Sequence, residues 1–419
     1  MKIKVKNVSY EYVASLPPPP HIKPKKPNIL FRTLLKIVST PDLIATKFKC
    51  EKIGMEKLGR REPALILMNH SSFIDLKIAS SILYPRPFNI VCTSDGFVGK
   101  KWLMRQLGCI PTQKFVSDLT LIRDIKHALH EKNSSVLMYP EAGYSFDGTA
   151  TQIPDTVGKF LKMMNVPVIM IKTYGAFTRD PLYNGLQLRR VKVSATMEYL
   201  LSPEDIRQKS ADELNEILRE QFTFDSFRWQ QQNNIHVTEK FRADGLERVL
   251  YKCPHCLTEG QMQGSGTTLT CHACGKVYML DELGRMRAED GNTEFPHIPV
   301  WFSWQRECVR QDVENDQYEL HTDVDIYMLV DTKFLYRVGT GTLDHDKNGF
   351  VLRGCDGKLN YSQPPTASYS LNSDYFWYEI GDVISIGDRR ALYYCFPHTK
   401  NVVTRARLAT EELFKLHKK

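Results

Sequence analysis

His70 and Asp75, in His70-Ser71-Ser72-Phe73-Ile74-Asp75, are residues whose types and spacing could do chemistry together. They follow an apolar run, 64–68, that predicts a strand, and they precede a segment of helical texture. The imidazole then stands at the carboxyl end of a strand and the carboxylate in the first turn of the next helix, the edge where α/β folds gather reacting groups. A histidine accepts a hydroxyl proton near neutral pH, and a carboxylate on its other ring nitrogen fixes the tautomer and stabilises the imidazolium. Such a pair can activate an alcohol without a serine nucleophile. The same spacing alone also fits a helix-capping aspartate beside a surface histidine.

Cys253, Cys256, Cys271 and Cys274 form two Cys-x-x-Cys pairs, while the other six of the ten cysteines are scattered. This spacing is that of a four-cysteine zinc ribbon in a reducing compartment, with four thiolates closing the coordination sphere, so the zinc expected is structural and no catalytic metal is called for. His255 and His272 read as knuckle residues rather than ligands. No basic stripe accompanies the ribbon, which argues against nucleic acid as a partner. Its expected role is to brace the flanking domains or to bind a protein.

The elements that must position these residues follow from texture. Between 63 and 203, runs at 64–68, 89–93, 135–139, 166–171 and 191–200 predict strands separated by helices, an α/β layer with a largely parallel sheet, and 202–232 reads as a closing helix. After the ribbon, β-branched and aromatic runs at 318–330, 334–343, 375–386 and 392–396 with turn signals between them predict an antiparallel domain closed by a helix at 410–417. Near the start, Pro17 to Pro20 mark an extended linker, and 28–40 reads as an amphipathic helix stopped by Pro41. Such a helix can lie in a membrane interface or pack on the domain behind it.

Downstream of His70 three further blocks occur in order: Gly108 to Lys114, then Pro140-Glu141-Ala142-Gly143-Tyr144-Ser145, then Val166-Pro167-Val168-Ile169. With these blocks, 63–193 resembles the phospholipid/glycerol acyltransferase superfamily, typified by 1-acylglycerol-3-phosphate acyltransferases. That family carries His-x4-Asp, a Gly-x-x-Phe-Ile-x-Arg-like block, Phe-Pro-Glu-Gly-Thr-Arg-Ser and Val-Pro-Val/Ile-Pro. The resemblance implies a glycerol-phosphate-acyltransferase-like α/β catalytic domain, with His70 the general base and Asp75 its partner. It implies substrate contacts at Gly108, Lys114, Pro140, Glu141, Gly143, Ser145 and Pro167. Acyl-CoA or acyl-carrier protein would be the donor and a lysophospholipid the acceptor, foremost 1-acylglycerol 3-phosphate giving phosphatidate. Competing readings are another lyso-lipid, glycerol 3-phosphate, or a non-catalytic lipid-binding scaffold. Two departures fall on phosphate-binding cations: Lys114 replaces an arginine and loses its bidentate fork, and Tyr144 stands where the third block has arginine. Arg123, Lys126 or Lys172 are alternative sources of charge.

Composition bounds the rest. The 419 residues, 42% hydrophobic and 25% charged, suit two or three globular domains and exclude collagen-like and low-complexity chains. No long uncharged apolar stretch predicts a spanning helix, and 1–14 lacks a secretory signal's apolar core. The first 60 residues hold 13 Lys/Arg against 4 Asp/Glu, so the whole net charge of +8 comes from the leader. Alone, such a leader fits nucleic acid, an anionic membrane or an acidic partner. The resemblance favours peripheral, monotopic docking on the cytoplasmic face of a membrane. The expected organisation is a basic leader with proline linker and amphipathic helix (1–62), an acyltransferase domain (63–235), a zinc ribbon (248–280) and a β-rich accessory domain (281–419).

Overall fold

The computed structural model describes residues 2–116, 118–185 and 187–418. A short strand, β1 (Val5–Asn7), precedes the proline run, and a helix, Ile29–Ala45, follows it. Asn28 caps this helix by accepting the Leu30 N–H. Pro41 does not end it, a correction to the expectation from sequence. The ring removes one N–H from the ladder, but the carbonyl so freed, that of Ile37, belongs to an exposed turn where water can take the bond.

Seven strands build the first sheet: β2 (Lys49–Ile53), β3 (Leu65–Met68), β4 (Phe88–Thr93), β5 (Cys109–Thr112), β6 (Ser135–Met138), β7 (Val168–Tyr174) and β8 (Ser194–Leu201). Their order is β2-β8-β7-β3-β6-β4-β5, parallel throughout except between β7 and β8. All four residues of β3 are buried, as a central strand covered by helices on both faces requires. Ile66 and Met68 join a cluster with Ile74 and Ile78 on one face, and Leu65 and Leu67 join Ile125, Leu129 and Leu161 on the other. Two of the seven strands, β2 and β5, are short edge strands without the apolar runs that predict the others. The predicted closing helix is three helices, Pro203–Gln208, Ala211–Phe222 and Ser226–Gln232, the first two each opened by a serine capping box.

The cysteine module is a four-stranded antiparallel sheet of β9 (Met262–Ser265), β10 (Thr268–Cys271), β11 (Val277–Leu280) and β12 (Met286–Ala288). A helix that sequence reading did not assign follows, Ile298–Glu314. Its buried side Ile298, Trp301, Phe302, Gln305 and Val309 keeps helical spacing, and Gln305 is satisfied there by the Lys252 N–H and the Val249 carbonyl. The accessory sheet comprises β13 (Leu320–Leu329), β14 (Leu335–Asp346), β15 (Gly349–Gly354), β16 (Leu359–Gln363), β17 (Asn372–Trp377), β18 (Gly381–Gly387) and β19 (Leu392–Pro397). Its order is β16-β15-β14-β13-β19-β18-β17, all antiparallel, and β1 adds to β14 in parallel. The predicted single strand 375–386 is β17 and β18 joined by a turn in which Tyr378 and Glu379 take positive φ. The closing helix, Val403–Lys418, starts earlier than predicted.

One apolar cluster runs through the cysteine module (Met262, Leu269, Tyr278), the helix Ile298–Glu314 (Trp301, Val309), the accessory sheet (Leu343, Leu352, Ile384) and the last helix (Leu408, Leu413). It also takes in Phe146, Phe177 and Phe227 from the first part of the chain. The accessory elements thus share a core with the segment that follows the His70 strand.

Candidate active site

β3 delivers Asn69 and His70 to the carboxyl edge of the sheet. The Asn69 amide ties the end of β3 to β7, its oxygen accepting the Thr173 N–H at 2.8 Å and its NH2 donating to the Ser71 hydroxyl at 3.1 Å. The turn is then held by Asp75, one of whose carboxylate oxygens accepts the Ser71 N–H at 2.8 Å, the Ser72 N–H at 3.0 Å and His70 Nδ1 at 3.2 Å. With the proton on Nδ1 directed to Asp75, the lone pair is on Nε2. Asp75 is 1% exposed and the His70 side chain 17%.

Two tyrosines enclose the imidazole. Tyr139 stacks on one side at 4.1 Å between ring centroids and Tyr144 at 4.0 Å. Two flat contacts of this kind fix the ring plane and leave its edge as the reactive approach. Tyr144 stands at the position where the resemblance to the third block leads to an arginine being expected, and it gives His70 a stacking partner. Phe73 packs against Tyr144 with centroids at 5.3 Å and is exposed.

Glu141 supports this arrangement from behind. One oxygen accepts the His70 backbone N–H at 2.8 Å and the other accepts the Thr151 N–H at 3.0 Å and its hydroxyl at 3.2 Å. Burial pushes its carboxyl up to about 7 against these bonds. Ser145 spans the same loop, donating its N–H to the His70 carbonyl and its hydroxyl to the Thr149 carbonyl. Glu141 and Ser145 are engaged by the protein itself. Pro140 and Gly143 lie buried in this loop, where a side chain at Gly143 would meet nothing within 4 Å. By contrast, Gly148 has φ +80° and a Cβ there would come within 2.7 Å of the Phe177 ring, so glycine is required at that turn.

Of the second block, Lys114 follows the carboxyl end of β5, at the same edge of the sheet as His70, and Gly108 does not. Gly108 precedes β5, its carbonyl accepting the Ile90 N–H and the Asn89 amide at the opposite edge of the sheet. Pro167 is likewise remote, since its carbonyl accepts the Leu65 N–H where β3 begins. In a parallel sheet the ends of strands are separated from their starts by the strand length, so blocks adjacent in a motif list of a family need not meet.

Burial lowers the basicity of His70, Asp75 opposes this, and the Lys114 cation adds to the lowering. The imidazole is therefore neutral at pH 7 and able to take a proton. In Lys114→Gln the removed cation no longer resists protonation, so the acid limb of the activity profile shifts to higher pH. Initial rates between pH 5 and 8 check this, and an unmoved limb would show that Lys114 does not act on His70.

Residues from the far end of the chain complete the surroundings, and these carry no signal in the local sequence. Arg407 of the last helix donates to the Tyr144 carbonyl at 3.2 Å and covers Phe146 at 4.4 Å. Phe146 in turn packs on Tyr375 of β17 at 4.3 Å. Asp374 of the same strand is pushed up to about 7 by burial, with Lys114 opposing. Tyr378 donates to Asp95 at 2.9 Å.

Residues 49–172 match the family described as Acyltransferase. Matched to solved structures, the chain is similar to the 1-acyl-sn-glycerophosphate (LPA) acyltransferase PlsC from Thermotoga maritima, at 14% identity and a TM-score of 0.36 over 46% of this chain and 76% of that one. The acyltransferase match spans the His-x4-Asp turn, Lys114, Glu141 and Ser145, and it ends inside β7. Tyr139 and Tyr144 also lie within it, whereas Asp374 and Arg407 lie outside. The accessory sheet and the last helix therefore add side chains around the segment that matches.

The four cysteines form a separate centre. Their sulfurs all lie within 4.8 Å of one another, with Cys253 to Cys274 at 3.8 Å and Cys256 to Cys271 at 3.7 Å. A tetrahedron with metal–sulfur bonds of about 2.3 Å has edges of about 3.8 Å, so the set fits a four-thiolate metal site. His255 faces Glu294 and His272 faces Gln263, both outside the cluster.

Proposed function

We propose that the chain transfers a fatty acyl group from an acyl thioester, acyl-CoA or acyl-carrier protein, to the hydroxyl of a lysophospholipid, with 1-acylglycerol 3-phosphate as acceptor and phosphatidate as product. The observation that carries this reading is the His70 ring, held on Asp75 through Nδ1 at the carboxyl edge of a strand inside the acyltransferase match. Nε2 takes the proton of the acceptor hydroxyl as its oxygen attacks the thioester carbonyl. Collapse of the tetrahedral intermediate breaks the carbon–sulfur bond, and the imidazolium returns the proton to the thiolate. No covalent acyl-enzyme is needed. Lys114 is the cation for an anionic acceptor. Burial pushes the Asp374 carboxyl up to about 7, with the Lys114 charge opposing, so Asp374 takes up a proton readily and leaves that charge available.

The acceptor lives in a membrane, and the chain is proposed to dock on the cytoplasmic face through the helix Ile29–Ala45. Among the described residues no helix is long and apolar enough to cross a membrane. Ile37 and Val38, each 61% exposed, with Leu30, Leu34 and Ile44 present an apolar stripe, and Lys23, Lys25 and Lys26 precede it. Replacing Ile37 and Val38 with glutamate removes flotation with anionic vesicles while the protein stays folded by circular dichroism. Unchanged flotation would contradict the docking. The cysteine site is proposed to hold structural zinc.

The test is transfer of labelled acyl groups from acyl-CoA and from acyl-carrier protein to a panel of 1-acylglycerol 3-phosphate, other lysophospholipids and glycerol 3-phosphate, with vesicles present. Labelled phosphatidate formed only with 1-acylglycerol 3-phosphate is the expected result. A product from a different acceptor would move the substrate, and no product from either donor would overturn the reading.

A further inference from the structure

Arg407, in the helix Val403–Lys418, is 263 residues from Tyr144 along the chain, yet its Nη1 donates to the Tyr144 carbonyl at 3.2 Å. Its guanidinium also lies 4.4 Å from the centre of the Phe146 ring. Arg407 is buried, and its Nε donates to Glu411 at 3.3 Å. Glu411 is held in turn by the Ser370 hydroxyl and by Arg306, each donating at 2.6 Å. The guanidinium is therefore anchored on a buried carboxylate where it meets the loop. Its planar fork serves the carbonyl, the carboxylate and the ring face together, a geometry that a lysine ammonium does not reproduce.

The loop has few other ties at this point. Phe146, Asp147, Thr149 and Thr151 border an open cavity of about 370 Å³, so close packing alone does not fix the stretch that follows Tyr144. The Ser145 N–H reaches the His70 carbonyl only at 3.4 Å, long for a hydrogen bond. The Tyr144 ring, stacked on the imidazole at 4.0 Å with 30° between the planes, depends on that backbone position. We propose that Arg407 is a positioning residue of the active site: by holding the Tyr144 carbonyl it sets the ring that covers His70, and so fixes the plane of the base and shields it from water. Its effect on rate rests on the acyl-transfer reading above; its effect on the imidazole does not.

The groups that face His70 are Asp75 at Nδ1, Glu141 at the backbone N–H, Tyr139 and Tyr144 against the ring, and the Lys114 cation. Arg407→Gln alters none of them. Burial holds the imidazole below its usual range, so a Tyr144 ring freed to swing away admits water and raises it. Titration of His70 in the full chain labelled with nitrogen-15 histidine, its signal assigned by loss in His70→Ala, reads this without turnover. In Arg407→Gln the titration moves up by about half a pH unit or more. Glu411 keeps Arg306 and Ser370, so the variant folds. Arg407→Lys keeps the charge and the pair with Glu411 but loses the fork, and it shifts the titration in the same direction. In rate assays kcat falls about tenfold in Arg407→Gln, while the KM values of donor and acceptor are unchanged.

Tyr144→Ala raises the His70 titration by itself, and adding Arg407→Gln to it moves His70 no further, because the ring through which Arg407 acts is gone. A general loosening, or a direct effect of the lost charge, would persist in that background. Such persistence, or an unmoved titration in both Arg407 variants, would overturn the assignment. A shifted titration in a protein that transfers no acyl group would keep the positioning and sink the acyl-transfer reading. An active protein whose titration and kcat do not move in Arg407→Gln would do the reverse.

Discussion

His70→Ala loses about 10²- to 10⁴-fold in kcat, the span that a positioned general base contributes. The loss is in chemistry and not in folding. The His70 backbone N–H still reaches Glu141, Asp75 still holds the Ser71 and Ser72 amides, and the side chain given up is partly exposed. What disappears is two ring contacts, with Tyr139 and Tyr144, each worth about 1 kcal/mol. The melting temperature therefore falls by only a few degrees. Asp75→Asn separates tautomer control from the base itself. An amide oxygen in the place of the one carboxylate oxygen that takes all three groups can still accept the Ser71 and Ser72 N–H and Nδ1–H, but it carries no negative charge to stabilise the imidazolium, so kcat drops by a comparable factor with the acceptor KM little changed. Single-turnover rates with labelled acyl thioester measure both variants beside thermal unfolding. Wild-type turnover in His70→Ala would end the assignment of the base.

Removing the metal from the four-cysteine site, by chelation or by Cys253→Ser, lowers the melting temperature by about 10 °C or more, given several kcal/mol of metal-coupled stability. Cys253 and Cys271 are buried and belong to the same apolar cluster as Trp301, Leu343 and Leu413. Opening the cluster unpairs the β9–β12 sheet from the helix Ile298–Glu314, and the Trp301 indole, which donates to the Lys252 carbonyl beside Cys253, loses its seat. The fluorescence of Trp301 and its neighbours should shift to the red in the same transition. Acyl transfer should fall along with it, because Arg407 and Tyr375 bear on the His70 loop from that shared core. Analysis of the purified protein for metal, followed by calorimetry with and without chelator, checks this. An unchanged transition would show that the thiolates stand without an ion.

Patterns confined to neighbouring residues were legible from the chain. The apolar run before His70 had to be a buried strand, and Asp75, five residues on, had to fall in the first turn of the next helix. The cysteine spacing likewise brought four sulfurs to tetrahedral distances, because each Cys-x-x-Cys knuckle is set by local backbone geometry. The helix Ile298–Glu314 was also readable in its apolar spacing, although Pro299 and the polar Gln305 on its buried side masked it. Pro41 misled because the rule that proline stops a helix assumes that the freed carbonyl cannot be solvated.

Only tertiary structure decided which motif residues meet. Glu141 ends beside His70 because it follows the carboxyl end of β6, and Lys114, past the end of β5, lies at the same edge of the sheet, while Gly108 and Pro167 precede β5 and β7 and are a strand length away. The roles of Tyr139 and Tyr144 were likewise hidden, since stacking depends on how a loop folds back and not on spacing. Asp374 and Arg407, some 300 residues from His70, arrive there because the accessory sheet and the last helix share one apolar core with Phe146. Long-range burial of apolar surface is non-directional and leaves no local signature. The sequence by itself picked out the His70–Asp75 pair and the four clustered cysteines; packing determined what surrounds them.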